Sequence, residues 1–408
     1  MNQNIAFIPG GLCAAKGFTA AGVWCGIRRN RTKRDLALIA SSVPCTAAAV
    51  YTTNKVKGAP LLVTKEHLAD GRAQAVICNS GNANTCNADG VEIAQAMCAA
   101  VAEALGIPAA DVLVGSTGVI GQPLPLGPIV GAIPALAEQL SEAGGGAAAE
   151  AIMTTDTVKK EFAVSVSLGG KECHLGGIAK GSGMIHPNMA TMLGFLTTDA
   201  AISTEMLQKA LSASVLDTYN MISIDGDTST NDMVTVLANG LAGNPVIDRE
   251  GADFDAFCAA LTSLNIAIAR ALAADGEGAT KLLTCNVSGA PDVATAKTVA
   301  KSVVCSTLFK AAMFGADANW GRVLCAIGYA DAEFDIGRVD VDFASANGRV
   351  AVCRHGAGVA FSEEEAKQIL LADEIVIDVS LQQGEASATA WGCDLTYDYV
   401  KINGDYRT

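Results

Sequence analysis

Residues 162–168 alternate between a large apolar side chain and a small one, and Gly169 and Gly170 follow directly. An alternation with a period of two is typical of a β-strand that buries one face, and a glycine pair allows the chain to turn sharply. The segment therefore predicts a half-buried strand that leads into a hairpin. Shorter apolar runs predict three further strands, at residues 36–40, 75–78 and 112–114.

Helical patterns separate these strands. Residues 91–105 predict a helix that ends before Gly106 and Pro108, and three further helices are expected at residues 204–216, 254–274 and 294–314. The glycine- and alanine-rich stretch at residues 143–149 predicts a surface loop or a frayed helix end. The mixture indicates an α/β protein with hairpins. A parallel doubly wound sheet is not indicated, because no G-x-G-x-x-G turn follows an early strand.

The charge balance argues against nucleic acid as a partner. The 408 residues carry a formal charge of −14, whereas affinity for nucleic acid depends mainly on Lys and Arg that neutralise phosphates. Five basic residues do cluster within residues 28–34. We interpret this cluster as a solvated hairpin tip rather than an anion site.

The cysteines and the apolar segments indicate the compartment. Thirteen cysteines are scattered without a C-x-x-C pair or a Cys/His cluster, so reduced thiols and no metal are expected. The first residues lack a basic region and reach Pro9 before any long apolar run, which predicts no signal peptide. The longest apolar segment, residues 124–137, contains three prolines and is shorter than the roughly 20 residues that span a bilayer. We expect a cytoplasmic protein without a membrane partner.

A constrained loop at residues 179–196 carries the most specific chemistry. The four histidines lie outside any Gly-x-Ser-x-Gly or His-Glu-x-x-His motif, so a different nucleophile is needed. A hydroxyl at Thr191 can attack the carbonyl of Ala190, shift the acyl group from nitrogen to oxygen and let water complete the cut. The new terminal threonine then holds a hydroxyl nucleophile and an α-amine that can act as its base. A plain turn before a strand is the alternative.

Within this loop, residues 180–193 read KGSGMIHPNMATML, and this segment closely resembles the self-cleavage motif of the ornithine acetyltransferase family, also called glutamate N-acetyltransferase. The resemblance extends along essentially the whole chain. It is carried by separate blocks that include NSGNAN at residues 79–84, GSTGVIG at 115–121, MTTDT at 153–157, DGDTSTND at 225–232, GADANWGR at 315–322 and the terminal NGDYRT. A match in so many separated blocks is far more specific than one short motif.

The resemblance implies a two-step transfer in arginine biosynthesis, in which Thr191 takes acetyl from N-acetylornithine and glutamate then collects it as N-acetylglutamate. Thr117 and Gly118 match the family's oxyanion hole, where a hydroxyl and an N–H meet the developing negative charge. The positions that match its substrate-binding residues are Thr154, Lys180, Thr191, Glu277, Asn403 and Thr408. Their chemistry suits an amino acid, because Lys180 can bind a carboxylate and Glu277 an ammonium.

The resemblance also implies the architecture. It predicts a four-layer α/β/β/α sandwich with a smaller C-terminal lobe, cut between Ala190 and Thr191 into an alpha chain (1–190) and a beta chain (191–408) that build one folded body. Two of each are expected to assemble into a heterotetramer. No cofactor is expected, although acetyl-CoA stays open as a second acetyl donor. The alternative activity is that of a self-processing aminopeptidase or amidohydrolase, in which water resolves the acyl-enzyme.

Two further segments lead to expectations about the site. Asp225 and Asp227 resemble a metal loop, but the spacing lacks a full calcium motif, so we favour a structural role near the site. The final six residues, from Asn403 to Thr408, are expected to fold back over the active site, with Gly404 supplying the turn.

Overall fold

A computed structural model describes residues 5–186 and 192–405. Within these residues the strands are β1 (Ala6–Ile8), β2 (Phe18–Val23), β3 (Leu36–Tyr51), β4 (Arg72–Asn82), β5 (Val112–Val119), β6 (Lys160–Leu168), β7 (Lys171–Lys180), β8 (Leu193–Thr198), β9 (Ile222–Ser223), β10 (Met233–Ala238), β11 (Leu282–Ala290), β12 (Asp340–Ser345), β13 (Gly348–Arg354), β14 (Ala357–Gly358), β15 (Glu374–Ser380) and β16 (Ala386–Cys393).

The helices of the same residues are α1 (Ala59–His67), α2 (Gly90–Leu105), α3 (Leu126–Glu138), α4 (Gly145–Ile152), α5 (Thr204–Asp217), α6 (Ala252–Ala274), α7 (Val293–Cys305), α8 (Thr307–Phe314), α9 (Trp320–Gly328), α10 (Glu363–Leu370) and α11 (Tyr397–Asp405).

The strands form two mixed sheets. The larger has the order β1-β6-β7-β8-β10-β3-β4-β5, and β2 pairs with β3 beside that path. Its neighbours are antiparallel except for β8 with β10 and β4 with β5, which are parallel. Strands β8 and β10 follow the expected cleavage site in sequence, yet they lie between β7 and β3, which precede it.

The smaller sheet has the order β14-β13-β12-β15-β11-β16-β9 and draws all its strands from the second half of the chain. Helix α6 packs against β6 and β7 of the larger sheet and against β11 and β16 of the smaller one. This 23-residue helix is apolar and long enough to cross a bilayer, but its apolar side chains are mostly buried in the core between those strands. We therefore interpret α6 as a core helix.

The strands expected at residues 36–40, 75–78, 112–114 and 162–168 are all present, and β6 and β7 form the expected antiparallel hairpin. The half-buried character expected of β6 holds only at its end, where Ser167 is exposed, because Ala163 and Ser165 are buried along with Val164 and Val166. The side chains of Val164, Val166 and Leu168 pack into the apolar core that also contains the buried side chains of α6. The opposite face of the strand is covered by α4 and by the 3₁₀ turn Gly11–Ala14.

Two helical expectations need correction. Residues 294–314 form two helices, because the Ser306 hydroxyl accepts a hydrogen bond from Phe309 N and begins a new helix. The stretch 143–149 is largely helix α4, with Ala148 and Ala149 buried against β2 and β3. A Cβ on Gly144 would lie 1.7 Å from the carbonyl oxygen of Ala20, so the glycine permits close packing rather than flexibility.

The basic cluster at residues 28–34 lies in the loop between the antiparallel strands β2 and β3, as expected for a hairpin tip. Arg34 pairs with Glu150 of α4, and the Arg28 guanidinium donates to the carbonyl of Met153. These contacts connect the tip to α4 and to the block that contains Thr154.

Candidate functional site

One cavity of about 110 Å³ gathers residues from distant parts of the sequence. Six of the predicted site residues line it: Thr117, Gly118, Thr154, Lys180, Glu277 and Asn403. The remaining predicted residues, Ala190, Thr191 and Thr408, lie outside the described residues. The cavity is therefore the candidate active site.

Strand β7 ends at Lys180, which enters the cavity and is almost fully buried. Lys180 pairs with Leu193 at the start of β8, two residues after Thr191. The carbonyl of Met192 accepts a hydrogen bond from Met233 N of β10. The chain thus leaves the expected cleavage site directly beside Lys180.

A buried carboxylate, Asp156, supports this corner of the cavity. Its Oδ1 accepts from Lys160 Nζ and from Gly181 N, both at 2.7 Å, and its Oδ2 accepts from Thr154 N at 2.9 Å. Burial raises the pKa of Asp156, but the charges of Lys180 and Lys160 outweigh burial and hold that pKa well below its usual range. An ionised Asp156 therefore fixes the backbone of both Thr154 and Gly181.

Lys160 extends this support to a second carboxylate. Its ammonium, 1% exposed, also pairs with Asp275. Asp275 in turn accepts from the backbone amides of Thr157 and Val158, and its own carbonyl accepts from the Ser182 hydroxyl at 2.7 Å. The ion pairs connect residues 154–158 and 181–182 to the C-terminal end of α6.

Thr117 and Gly118, close to the end of strand β5, line the cavity wall. Gly118 has a φ of +129°, and a Cβ there would lie 2.4 Å from the carbonyl carbon of Gly81 and 2.6 Å from Asn82 N. Two backbones meet at this point, so only glycine fits. This close approach explains why the sequence has glycine beside the threonine that the resemblance assigns to the oxyanion hole.

Asn231 connects the end of β5 to its surroundings. Its amide nitrogen donates to Ala83 O at 2.6 Å and to Ser116 O at 3.0 Å, and its oxygen accepts from the hydroxyls of Thr85 and Thr230 at 2.5 and 2.7 Å. Asn231 is buried and uses both its donors and its acceptor at once. This arrangement fixes the backbone immediately before Thr117.

A second buried carboxyl, Asp232, lies next in sequence. Its Oδ2 has no hydrogen-bond partner within the described part of the chain. Burial raises the pKa of Asp232 well above its ordinary value, and the charge of Lys180 only partly opposes that effect.

Glu277 and Asn403 close the opposite side of the cavity. The Glu277 carboxylate lies so close over Gly183 that a Cβ there would be 2.4 Å from its Cδ. The side-chain amide of Asn403 donates to Glu277 Oε2 at 2.7 Å. Asn403 is in the last turn of α11, so the end of the described chain reaches the cavity as expected. The turn expected at Gly404 is wrong, because Gly404 is part of the helix.

The Asp225 carboxylate binds backbone amides. It accepts from Met184 N at 2.6 Å and Ile185 N at 2.9 Å, which agrees with the structural role expected near the site. Throughout residues 5–186 and 192–405 no group of three or more His, Cys, Asp or Glu side chains could hold a metal ion.

A larger groove of about 740 Å³ also borders α11, with Thr157, Asp275, Asp398 and Lys401 in its lining. It contains none of the predicted site residues. The smaller cavity contains Lys180, which pairs with the strand that follows the expected cleavage site, together with Glu277 and the Thr117–Gly118 part of β5. The smaller cavity is therefore the candidate active site.

Sequence reasoning missed four residues that organise this cavity: Asp156, Lys160, Asn231 and Asp275. Asp156 and Asn231 lie inside the sequence blocks that carry the family resemblance, and Asp275 is two residues before Glu277, so those blocks held a signal. Lys160 gave none, because it follows Lys159 at the start of an ordinary strand.

Comparison with known proteins gives extensive matches. The ArgJ family model matches residues 19–408. A protein of Symbiobacterium thermophilum named "Arginine biosynthesis bifunctional protein ArgJ" is 53% identical over 404 residues, which cover 98% of this chain and 100% of the relative. A relative from Clostridium acetobutylicum, named "Arginine biosynthesis bifunctional protein ArgJ 1", is 50% identical over 408 residues, which cover 100% of this chain and 98% of its own.

Solved structures also match. The crystal structure of the arginine biosynthesis bifunctional protein argJ from Bacillus halodurans is 47% identical, covers 52% of this chain and 97% of its own, and has a TM-score of 0.49. An ornithine acetyltransferase of Mycobacterium tuberculosis, solved in complex with ornithine, is 38% identical, covers 46% of this chain and 100% of its own, and has a TM-score of 0.42.

Proposed function

Because the chain belongs to the ArgJ family, we propose that it carries acetyl from N-acetylornithine to glutamate through an acetyl ester on Thr191. This family is the one that the sequence blocks predicted. The chain is accordingly a bifunctional acyltransferase of arginine biosynthesis, an ornithine acetyltransferase and N-acetylglutamate synthase. What the proposal adds is the covalent route and the residues that perform it.

The observation that carries the proposal is the convergence of six predicted residues on one cavity. They come from two strands, two loops and one helix between Thr117 and Asn403. Together they offer the groups that an amino-acid acyl transfer needs. Such a gathering of complementary polar groups in one concave site is the usual mark of a binding site.

Thr191 is the proposed nucleophile. The Ala190–Thr191 bond breaks first, and the freed α-amine then acts as base for the hydroxyl. The position of Leu193 beside Lys180 supports this assignment, since only two residues separate Leu193 from Thr191. Thr117 and Gly118 are the proposed oxyanion hole. Their place at the cavity wall and the fixed backbone around them support a preorganised role.

The charged residues suit the two substrates. We assign Lys180 to the substrate carboxylate and Glu277 to an ammonium group, with Thr154 and Asn403 as hydrogen-bonding partners, and Thr191 and Thr408 complete the proposed substrate contacts. Lys180 and Glu277 line the same cavity, so one amino acid can meet both charges. A pocket that binds both ends of an amino acid favours glutamate over water as the acceptor.

Self-cleavage would divide the chain into residues 1–190 and 191–408. We propose that both fragments remain in one body, because β8 and β10 lie between strands of the first fragment and their loss would leave exposed sheet edges. The four-layer order, the assembly of two alpha and two beta fragments, and a cytoplasmic location remain part of the proposal. The absence of disulfides among the thirteen cysteines, all of which the structure describes, is in keeping with a reducing compartment.

A donor experiment tests the function. Purified protein receives equal glutamate with either N-acetylornithine or acetyl-CoA, and N-acetylglutamate is measured by mass spectrometry. We expect product from N-acetylornithine, and product from acetyl-CoA as well for a bifunctional enzyme. Thr191→Ala should abolish both, whereas Thr191→Ser should keep a measurable rate. Release of acetate without N-acetylglutamate would favour the amidohydrolase alternative.

A further inference from the structure

The chain on both sides of the expected cleavage site is attached to one segment of the second fragment. Residues 184–186 precede the site and Met192 follows it. All of them bond to residues between Ser223 and Met233, which we call the anchor segment (residues 223–233). The anchor segment contains the sequence DGDTSTND.

Asp225 provides the strongest contacts. One carboxylate oxygen accepts from Met184 N at 2.6 Å and the other from Ile185 N at 2.9 Å. Hydrogen bonds to an ionised acceptor are stronger than those between neutral groups. Met184 has a φ of +53°, a left-handed conformation that is costly for a residue with a side chain. The carboxylate therefore holds the chain in a strained conformation shortly before the scissile bond.

Thr228 and Ile224 hold the next residues. Thr228 Oγ1 donates to the carbonyl of His186 at 2.8 Å, and Ile224 N donates to the carbonyl of Ile185 at 2.7 Å. Ile185 and Thr228 also form an isolated antiparallel bridge. On the far side, Met233 N donates to Met192 O at 2.9 Å. His186 and Met192, the described residues on either side of the expected cleavage site, are thus both bonded to the anchor segment.

Holding the chain on both sides of the expected cleavage site matters for the chemistry of self-cleavage. The Thr191 hydroxyl oxygen must form a bond to the carbonyl carbon of Ala190 while the C–N bond breaks and the hydroxyl proton passes to the new α-amine. Water then hydrolyses the ester and leaves a carboxylate on Ala190 and a hydroxyl on Thr191. Attack by a group on its own preceding carbonyl requires a bent backbone, and a well-oriented intramolecular reaction gains a large rate advantage.

We propose that Asp225 and Thr228 are positioning residues for self-cleavage, acting by holding residues 184–186 in the bent conformation that brings the scissile bond into reach. The inference rests on the proposed cleavage before Thr191. It gives Asp225 and Thr228 a role, and it assigns to the second fragment the positioning of the end of the first.

The test follows precursor processing over time. Precursor is made in a cell-free system, and the appearance of the two fragments is measured on denaturing gels for wild type, Asp225→Asn and Asp227→Asn. An asparagine at 225 can accept only one of the two amides and turns a donor towards the other. Asp227→Asn removes the same charge two residues away, where the side chain has no hydrogen bond or ion pair to any described residue. We expect Asp225→Asn to cleave roughly tenfold to a hundredfold more slowly and Asp227→Asn to match wild type.

Thr228 supplies an independent pair of variants. Thr228→Val keeps the shape and loses the hydroxyl, whereas Thr228→Ser keeps the hydroxyl. We expect slow cleavage in the valine variant and near wild-type cleavage in the serine variant. Urea unfolding of the same variants in an uncut Thr191→Ala background separates positioning from general instability, since positioning predicts slowed cleavage without a matching loss of stability.

The outcomes are distinct. Wild-type rates in both Asp225→Asn and Thr228→Val would overturn the inference while leaving self-cleavage intact. If Asp225→Asn fails to fold, the valine and serine pair decides. A wild-type precursor that never cleaves would overturn the proposed self-cleavage itself, and the inference with it.

Discussion

Replacing Asp156 by asparagine perturbs the most buried charge in the site. The variant keeps the size of the side chain but removes a carboxylate that accepts three hydrogen bonds, from Lys160, Gly181 and Thr154. Whichever way the amide is oriented, its NH₂ group faces at least one donor, and Lys160 and Lys180 each lose a nearby counter-charge. The effect should therefore exceed that of one lost hydrogen bond.

The expected loss of folding stability in Asp156→Asn depends on which partners Lys160 keeps. Removing one partner of a buried ion pair typically costs about 3–5 kcal/mol. Lys160 keeps Asp275, so we expect the lower end, about 3 kcal/mol. With an unfolding entropy of roughly 2 cal/mol/K per residue over the chain, that loss lowers the Tm by about 3–4 °C.

The pH dependence gives a second signature. The folded pKa of Asp156 lies below the unfolded value of about 3.9, so its stabilisation is fully present above that pH and is lost as the pH falls through the folded pKa. The gap between wild type and Asp156→Asn should be largest near neutral pH and should shrink once the pH falls below about 4.

Urea unfolding at about pH 7.5 and at lower pH measures both effects. The matched control is Asp248→Asn, which changes an exposed aspartate with no hydrogen bond or ion pair to the described residues and should shift the midpoint very little. The reasoning would be refuted by an Asp156→Asn midpoint equal to that of wild type near neutral pH, or by a gap that widens as the pH falls.

Four further predictions concern the cavity. Thr117→Ala should lower kcat roughly a hundredfold with little change in KM, and steady-state kinetics showing the reverse pattern would move Thr117 to ground-state binding. Asn231→Asp should cost roughly 2–4 kcal/mol and slow turnover, because a carboxylate cannot donate to the carbonyls of Ala83 and Ser116; an unchanged unfolding midpoint would contradict this. Burial raises the pKa of Asp232 in the folded state above its pKa in the unfolded state, so the folded protein loses stability as the pH rises between these two pKa values. Asp232→Asn removes this titration, and its gain in Tm over wild type should therefore be largest at high pH. Deleting residues 405–408 should raise KM for N-acetylornithine and increase acetate release relative to transfer while processing continues, and wild-type kinetics would remove Asn403 and Thr408 from the site.

The sequence predicted the strands well because their patterns are local. Residues 162–168 show the period of a strand whatever packs on them, but the burial of Ala163 and Ser165 depends on α4 and the 3₁₀ turn, which come from elsewhere in the chain. The buried helix that includes most of residues 143–149 could not be predicted for a related reason. Its glycines resemble a linker, whereas Gly144 meets the backbone of Ala20, a contact that no local pattern reveals.

The candidate site shows the same difference between local sequence patterns, which could be predicted, and contacts between distant residues, which could not. The resemblance predicts which residues form the site, and six of these predicted residues line one cavity. The supporting residues could not be inferred, because their roles depend on long-range pairs such as Lys160 with Asp275 and Asn231 with Ser116. Burial, which decides whether those polar groups need partners, is a property of the folded chain.

Trapping the acyl-enzyme tests the central claim most directly. The protein is incubated with N-acetylornithine without glutamate, quenched with acid, digested and analysed by mass spectrometry. We predict that the peptide beginning at Thr191 carries one added acetyl group, and that glutamate removes this group and appears as N-acetylglutamate. A chain that forms N-acetylglutamate while residues 190 and 191 remain joined, or while Thr191 never carries acetyl, would contradict the account.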